Sequence, residues 1–327
     1  MRSDLVEMYR HMVLIREVEE TLVRLFAEAR VPGFIHSYIG EEASAVGVCS
    51  ALPTDSYVTS THRGHGHILA KGGDLRPFFA ELFGKASGYC RGKGGSMHVT
   101  DLDLGILGAN GIVGAGIPIA TGAALASRLQ SLDRVAVSFF GDGATNIGVF
   151  HEALNMASLW QLPAIFVCEN NGYAEFMAQG AHQRIERISD RAAAYVMPGV
   201  TVDGNDVEAV HAATAEAVER ARAGGGPTLL ECVTYRIRGH YEGDPEPYRT
   251  EDEIDRWRTR DPLTIAAERL RRRGSLDDAT DERIRLDARL AVEDAVAFAE
   301  AEPLPAPEDA LEHVHAGRLE EGWPWDG

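Results

Sequence analysis

Two short runs that are apolar on both faces limit what this 327-residue chain can become. Residues 135–140 are apolar except for Ser138, and residues 164–168 are apolar throughout. A strand with one wet face alternates apolar and polar side chains; a strand in a parallel sheet covered by helices on both sides does not. Residues 148–160, between the two runs, read as a helix. A further helix at 207–223, with alanine at most inner positions, leads to a third strand at 228–233. This alternation predicts an α/β fold, a doubly wound parallel sheet with helices on both faces.

The flanks depart from that rhythm. Leu5, Met8, Met12, Ile15, Val18, Leu22, Leu25 and Phe26 recur mostly at spacings of three and four, which predicts a helix over 4–30. Val31-Pro32-Gly33 ends it. A second helix starts near Glu41. Residues 55–61 hold a short strand that leads into a polar, glycine-rich loop, Thr61-His62-Arg63-Gly64-His65-Gly66-His67. Residues 84–111 contain eight glycines and no clear period. They read as a long irregular connection, and such loops inside compact domains are usually functional. Residues 112–130 form a helix of small residues able to approach a backbone or a ligand closely. Residues 251–301 are charged and helical, and Pro303, Pro305 and Pro307 mark a looser tail. The expected organisation is an α/β domain over 1–250, N-terminal helix included, followed by a helical C-terminal extension and tail over 251–327.

Composition removes several function classes. At 45% hydrophobic residues the chain has enough material for a sizeable core. No run of about 18 apolar residues is present, so no membrane span is expected. The N-terminus lacks the basic-then-apolar layout of a secretory signal, which makes the cytoplasm the expected location. A net charge of −18 repels nucleic-acid phosphates and anionic lipid, so neither is an expected partner. Cys49, Cys90, Cys168 and Cys232 form no CxxC pair and read as small hydrophobes. Arg and His gather between 62 and 98 while acidic residues crowd the C-terminal part. A basic pocket inside an acidic chain suits a small anionic ligand.

The two apolar runs end in unusual residues. The first is followed by Gly141-Asp142-Gly143-Ala144-Thr145-Asn146, the second by Glu169-Asn170-Asn171-Gly172-Tyr173. Ligands of open α/β sheets bind at the carboxyl ends of strands. Gly141 and Gly143 let the backbone approach an anion, and the helix start that follows offers free N–H groups. Asp142 would repel a phosphate unless a cation stood between them. A hard divalent cation resolves the conflict, since it takes carboxylate and phosphate oxygens together. Parallel neighbours lie about 4.8 Å apart, so two strand ends can share one ion, with Asn171 adding an amide oxygen.

Gly-Asp-Gly followed at this spacing by Asn-Asn resembles the signature of thiamine-diphosphate (ThDP) enzymes. Three further stretches narrow the resemblance to the E1 α subunits of 2-oxoacid and acetoin dehydrogenase complexes. They are Gly88-Tyr89-Cys90-Arg91-Gly92-Lys93-Gly94-Gly95-Ser96-Met97-His98, Gly108-Ala109-Asn110-Gly111-Ile112-Val113-Gly114 and Arg238-Gly239-His240-Tyr241-Glu242-Gly243-Asp244-Pro245. By that resemblance Asp142, Asn171 and the carbonyl of Tyr173 bind Mg²⁺. Gly143 and Ala144 contact the diphosphate, and Arg63 pairs with it through its forked guanidinium. The backbones of Gly111 and Val113 position the aminopyrimidine ring. His240 lies on a loop at the mouth of the site, and His36 resembles a pocket position. His65 and His240 are candidates for donating protons or hydrogen bonds to a substrate oxyanion.

The resemblance also implies that the site is divided. The glutamate that activates the cofactor, and the domain over its pyrimidine, belong to a separate β chain in such enzymes. This chain has one strand–helix array, so an α2β2 assembly is expected, passing an acyl unit to a lipoyl group on an E2 partner. Two departures from the pyruvate-type pattern favour acetoin over pyruvate or a branched-chain 2-oxoacid. His62 stands where pyruvate-type chains carry Tyr, and Tyr241-Glu242-Gly243 stands where they carry Ser-x-Ser. Tyr241 also replaces a serine that kinases modify in mitochondrial relatives, so that control is not expected.

Other readings are weaker. Gly114-Ala115-Gly116-Ile117-Pro118-Ile119 lacks the last glycine of a dinucleotide motif and follows no clear strand, which disfavours a nicotinamide-dependent dehydrogenase. His62, His65 and His67 surround Arg63, whose charge opposes zinc. Asp101-Leu102-Asp103-Leu104-Gly105 starts like a calcium loop but has Ile112 at the twelfth position, and reads as a turn.

Overall fold

The structure, a computed structural model, describes residues 4–314. The two apolar runs form β3 and β4 at the centre of a six-stranded parallel sheet. In chain order its strands are β1 (Tyr57–Thr59), β2 (Ile106–Gly108), β3 (Ala136–Gly141), β4 (Ala164–Asn170), β7 (Gly199–Asp203) and β8 (Thr228–Val233); β5 (Tyr173–Ala174) and β6 (Met177–Ala178) make a separate antiparallel hairpin. The spatial order is β2-β1-β3-β4-β8-β7. The chain steps from β1 to β2 in one direction and from β3 to β4 in the other. The order therefore reverses between β1 and β3, the place where such sheets open a crevice.

Helices cover both faces, and the β3 and β4 side chains divide between them as strand geometry requires. Val137, Phe139, Ile165 and Val167 face a core shared with α1 (Leu5–Ala27), α2 (Glu42–Ala51), α3 (His65–Ala70) and α4 (Leu75–Leu82). Ala136, Phe140, Ala164, Phe166 and Cys168 face the opposite core, built with α5 (Gly116–Leu129) and α6 (Gly148–Leu159). A one-turn helix, α7 (Gln179–His182), follows the hairpin, and α8 (Val207–Arg222) precedes β8. Gly47 lets α2 cross α8 closely: a Cβ there would lie 2.7 Å from Val210. The charged C-terminal region forms α9 (Glu251–Arg258), α10 (Pro262–Arg272) and α11 (Asp278–Ala301). Leu263, Leu270, Ile284 and Val292 of α10 and α11 join the same core as α1. Among the described residues no helix is long and apolar enough to cross a membrane.

The doubly wound parallel sheet is the one read from the sequence, with differences in detail. β2 and β7 were not anticipated. β2 has three residues and no period, and β7 is a half-exposed edge strand. The polar loop after β1 is shorter than expected, because His65 starts α3 rather than lying in the loop. The connection over 84–111 is irregular but fixed. Glu81, fully buried on α4, accepts hydrogen bonds from four backbone amides: Cys90 and Gly92 on Oε2, Gly94 and Gly95 on Oε1, at 2.7–2.9 Å. Asp101 Oδ1 accepts from the amides of Asp103 and Leu104, the turn expected there.

Candidate active site

The carboxyl ends of the strands meet in a cavity of about 440 Å³ at the reversal point. Each wall comes from the segment that follows a strand. Ser60–Arg63 follow β1, Asn110–Gly114 follow β2, Asp142–Ala144 follow β3, and Arg236 and His240 follow β8. Glu169 at the end of β4 and Asn171 and Tyr173 beyond it complete the lining.

The in-register pairing of β3 with β4 sets Gly141 beside Glu169, so Asp142 and Asn171 leave neighbouring strands at the same edge. The Asp142 carboxylate is 1% exposed, and its side-chain partner is His182, whose Nε2 lies 3.0 Å from Oδ2. Asn171 donates from Nδ2 to Glu41 Oε1 at 3.1 Å, which turns its amide oxygen away from that carboxyl. The side-chain donors gathered here are a carboxylate and an amide oxygen, the kind a hard divalent cation takes. Gly143 keeps the adjacent backbone free of a side chain, since a Cβ would lie 2.8 Å from Ala174. Ala144 is buried beside it. Residues and shape therefore fit a metal and a phosphate.

Two buried guanidiniums supply positive charge. Arg63 donates to the carbonyl oxygens of Ser37 and His240, and its Nε lies 3.9 Å from Glu41 Oε1. Arg236 is fully buried and donates to the Glu175 carbonyl and the Tyr248 hydroxyl. Its Nε has no partner, and no carboxylate pairs with it among the described ion pairs. A buried charge without a counter-ion calls for one. Burial, and next the neighbouring Glu169, push the Glu41 carboxyl up to about 8, against the pull of Arg63.

Three histidines converge at the same cavity. The ring nitrogens of His36, His62 and His240 lie within 4.8 Å of one another, and His36 Nδ1 is buried without a partner. Burial first, and Arg63 next, lower His36 to about 3 and His240 to about 4, with His62 lower still. All three are neutral at physiological pH. Arg63 and Arg236 oppose a second cation at this trio, which suits polar, uncharged substrate groups better.

Of the residues singled out from the sequence, Arg63, Gly111, Val113, Asp142, Gly143, Ala144, Asn171, Tyr173, His36 and His240 all line this cavity. His65 does not. It is fully buried in the first turn of α3, with Nδ1 2.8 Å from Glu19 Oε1 and Nε2 2.7 Å from Ser96 Oγ. Both nitrogens are engaged by these partners, so His65 ties α1 to the 95–97 turn instead of lining the cavity. His67 is likewise internal, stacked on Phe139 at 3.9 Å and bonded to Ser60 and Glu169. Glu41, Glu169, Arg236 and His182 were missed. Arg236 had a usable signal, a cation three residues past the end of β8; Glu41 and His182 had none.

Comparison with known proteins gives the chain's family. A family model described as the dehydrogenase E1 component matches residues 10–308. The alpha subunit of acetoin:2,6-dichlorophenolindophenol oxidoreductase from Bacillus subtilis (strain 168) is 50% identical over 309 residues, 94% of this chain and 92% of that one. Its namesake from Cupriavidus necator is 46% identical over 317 residues, 96% and 95% of the two chains. The pyruvate dehydrogenase E1 component subunit alpha of Rhizobium meliloti is 42% identical over 305 residues, 93% and 88% of the two.

Proposed function

The chain belongs to the dehydrogenase E1 component family, and from that premise we propose that it is the α subunit of an acetoin-cleaving E1 and anchors the Mg²⁺-diphosphate end of ThDP. It is one chain of a ThDP-dependent oxidoreductase and works with a β subunit. In the proposed reaction acetoin is cleaved oxidatively. One half leaves as acetaldehyde, and the other is oxidised to an acetyl group as it reduces and acylates a lipoyl disulfide on an E2 partner. Pyruvate or a branched-chain 2-oxoacid is the alternative, releasing CO₂ instead.

The observation that carries the reading is the meeting of Asp142, Asn171 and Tyr173 with two buried arginines in one cavity. Asp142 Oδ, Asn171 Oδ1 and the Tyr173 carbonyl would hold Mg²⁺. Arg63, Arg236 and the amides after Gly141 would neutralise the diphosphate. Bound there, the cofactor supplies a nucleophilic carbon and an electron sink. His36, His62 and His240 present neutral imidazoles able to donate hydrogen bonds to the hydroxyl or carbonyl of acetoin. Gly111 and Val113 line the cavity, and their backbones would position the aminopyrimidine. Ile112 and Val113 are 73% and 51% exposed at the mouth, which supports a β chain covering them in an α2β2 assembly.

The test is a dye-reduction assay of the purified α/β pair with acetoin, pyruvate and branched-chain 2-oxoacids in parallel. Acetoin should give the highest kcat/KM. Pyruvate turnover without acetoin turnover would replace the substrate.

A further inference from the structure

The segment between Asn171 and Arg191 leaves the end of β4, makes the β5–β6 hairpin, and returns to the end of β3 through α7. The return is stapled at several points. The Gln179 amide donates to the Gly172 carbonyl at 2.9 Å, and Asn170 Nδ2 donates to Gln179 Oε1 at 2.9 Å. This brings His182 against Asp142, a residue forty positions earlier in the chain. His182 has no part in the site as read from the sequence, and its side chain is 8% exposed.

The surrounding hydrogen bonds fix which nitrogen of His182 carries the proton. Arg191 Nη2 donates to Asn146 Oδ1 at 3.1 Å, which orients that amide. Asn146 Nδ2 then donates to His182 Nδ1 at 2.9 Å. An amide nitrogen only donates, so Nδ1 accepts, and in the neutral ring the proton sits on Nε2. Nε2 faces Asp142 Oδ2 at 3.0 Å and donates to it. Oδ1 accepts no hydrogen bond among the described residues, and Asp142 lines the cavity.

We propose that His182 is a positioning residue for the metal: its Nε2–H holds Asp142 Oδ2 and leaves Oδ1 as the oxygen offered to the cation. The inference rests on Asp142 being a metal ligand. A carboxylate on a free side chain samples several rotamers, and a bound ion must select one. A partner that selects it beforehand lowers the cost of binding. A neutral donor does this without placing a positive charge beside the cation, which a lysine or arginine would do. Partners of this kind typically change metal affinity by roughly 10- to 100-fold when removed. The arrangement also links the 171–191 excursion to the ion, because Asn171 and Tyr173 stand at its start and His182 near its middle.

The test uses the chain together with its β subunit, with Mn²⁺ as a paramagnetic probe in the presence of ThDP. His182→Ala should weaken Mn²⁺ binding by roughly 10- to 100-fold, and ThDP binding should recover at high Mg²⁺. His182→Gln keeps an N–H donor at the place of Nε2 and should stay close to wild type. Equal Mn²⁺ affinity for His182→Ala and wild type overturns the proposal. So does an equal loss in both variants accompanied by a lower thermal midpoint, since that marks a packing role. Asp142→Asn in the same titration separates the two levels of the argument. If it binds Mn²⁺ as wild type does, the metal assignment itself fails; if it loses Mn²⁺ while His182→Ala keeps it, only the positioning role fails.

Discussion

At the scale of single residues, the histidine trio has a consequence for stability. The folded pKa values of His36 and His240, about 3 and about 4, lie below the unincorporated value of 6.5, and that of His62 is lower again. The unfolded chain therefore binds protons that the folded chain does not. Stability from keeping these rings neutral is complete above the unfolded value and is lost as pH falls from there toward the folded values. The thermal midpoint of the complex should fall between pH 7.5 and pH 5, and the fall should be shallower in His62→Gln, which carries one titrating group fewer. Parallel pH curves for the two proteins would refute this. The place of Asp142 and Asn171 at the cavity was legible at this scale because their chemistry is local: a charge or an amide next to glycine at a strand end; Arg63 was reached only through the family resemblance. Glu41 and His182 were not legible, because what marks them is contact with Asn171 and Asp142, far along the chain, and such contact is not written beside the residue.

At the scale of elements, β3, β4, α6 and α8 were legible because a covered parallel sheet demands unbroken apolar strands and periodic helices. β2 and β7 were not, being short and at the edges, where neighbours rather than side chains make the strand. The 84–111 connection shows the same dependence. Its order comes from one carboxylate on α4 that satisfies four amides. Glu81→Ala leaves those part-buried donors without their acceptor and should cost on the order of 3 kcal/mol. Amide hydrogen exchange over 88–98 should rise sharply in that variant while α8 stays protected. Unchanged exchange over 88–98 would show that the loop holds itself. Because Met97 lines the cavity, the same variant should also bind ThDP more weakly.

At the scale of the whole molecule, the cavity proposed to anchor one end of the cofactor is open at its rim. An α subunit of this family implies a β partner, and Ile112 and Val113 stand exposed where the proposed assembly would cover them. The chain purified without its β subunit should reduce no dye with acetoin, ThDP and Mg²⁺, and adding the β subunit should restore turnover. Full-rate turnover by the chain alone would contradict a divided site.

The sequence by itself determined the parallel sheet and the oxygen donors at its edge. Strand burial and strand ends are properties of consecutive residues, and in-register pairing carries Gly141 to Glu169 without further information. Only the tertiary structure decided which histidines serve the cavity. His36, His62 and His240 meet because the strand order reverses between β1 and β3, and Arg63 reaches the His240 carbonyl across 177 residues. His65, three positions from His62, turns the other way because α3 begins at that residue and aims its ring at Glu19. Spacing along the chain reports which side chains share a face of one element. Which faces converge is set by the order in which elements pack, and that order is a property of the whole fold.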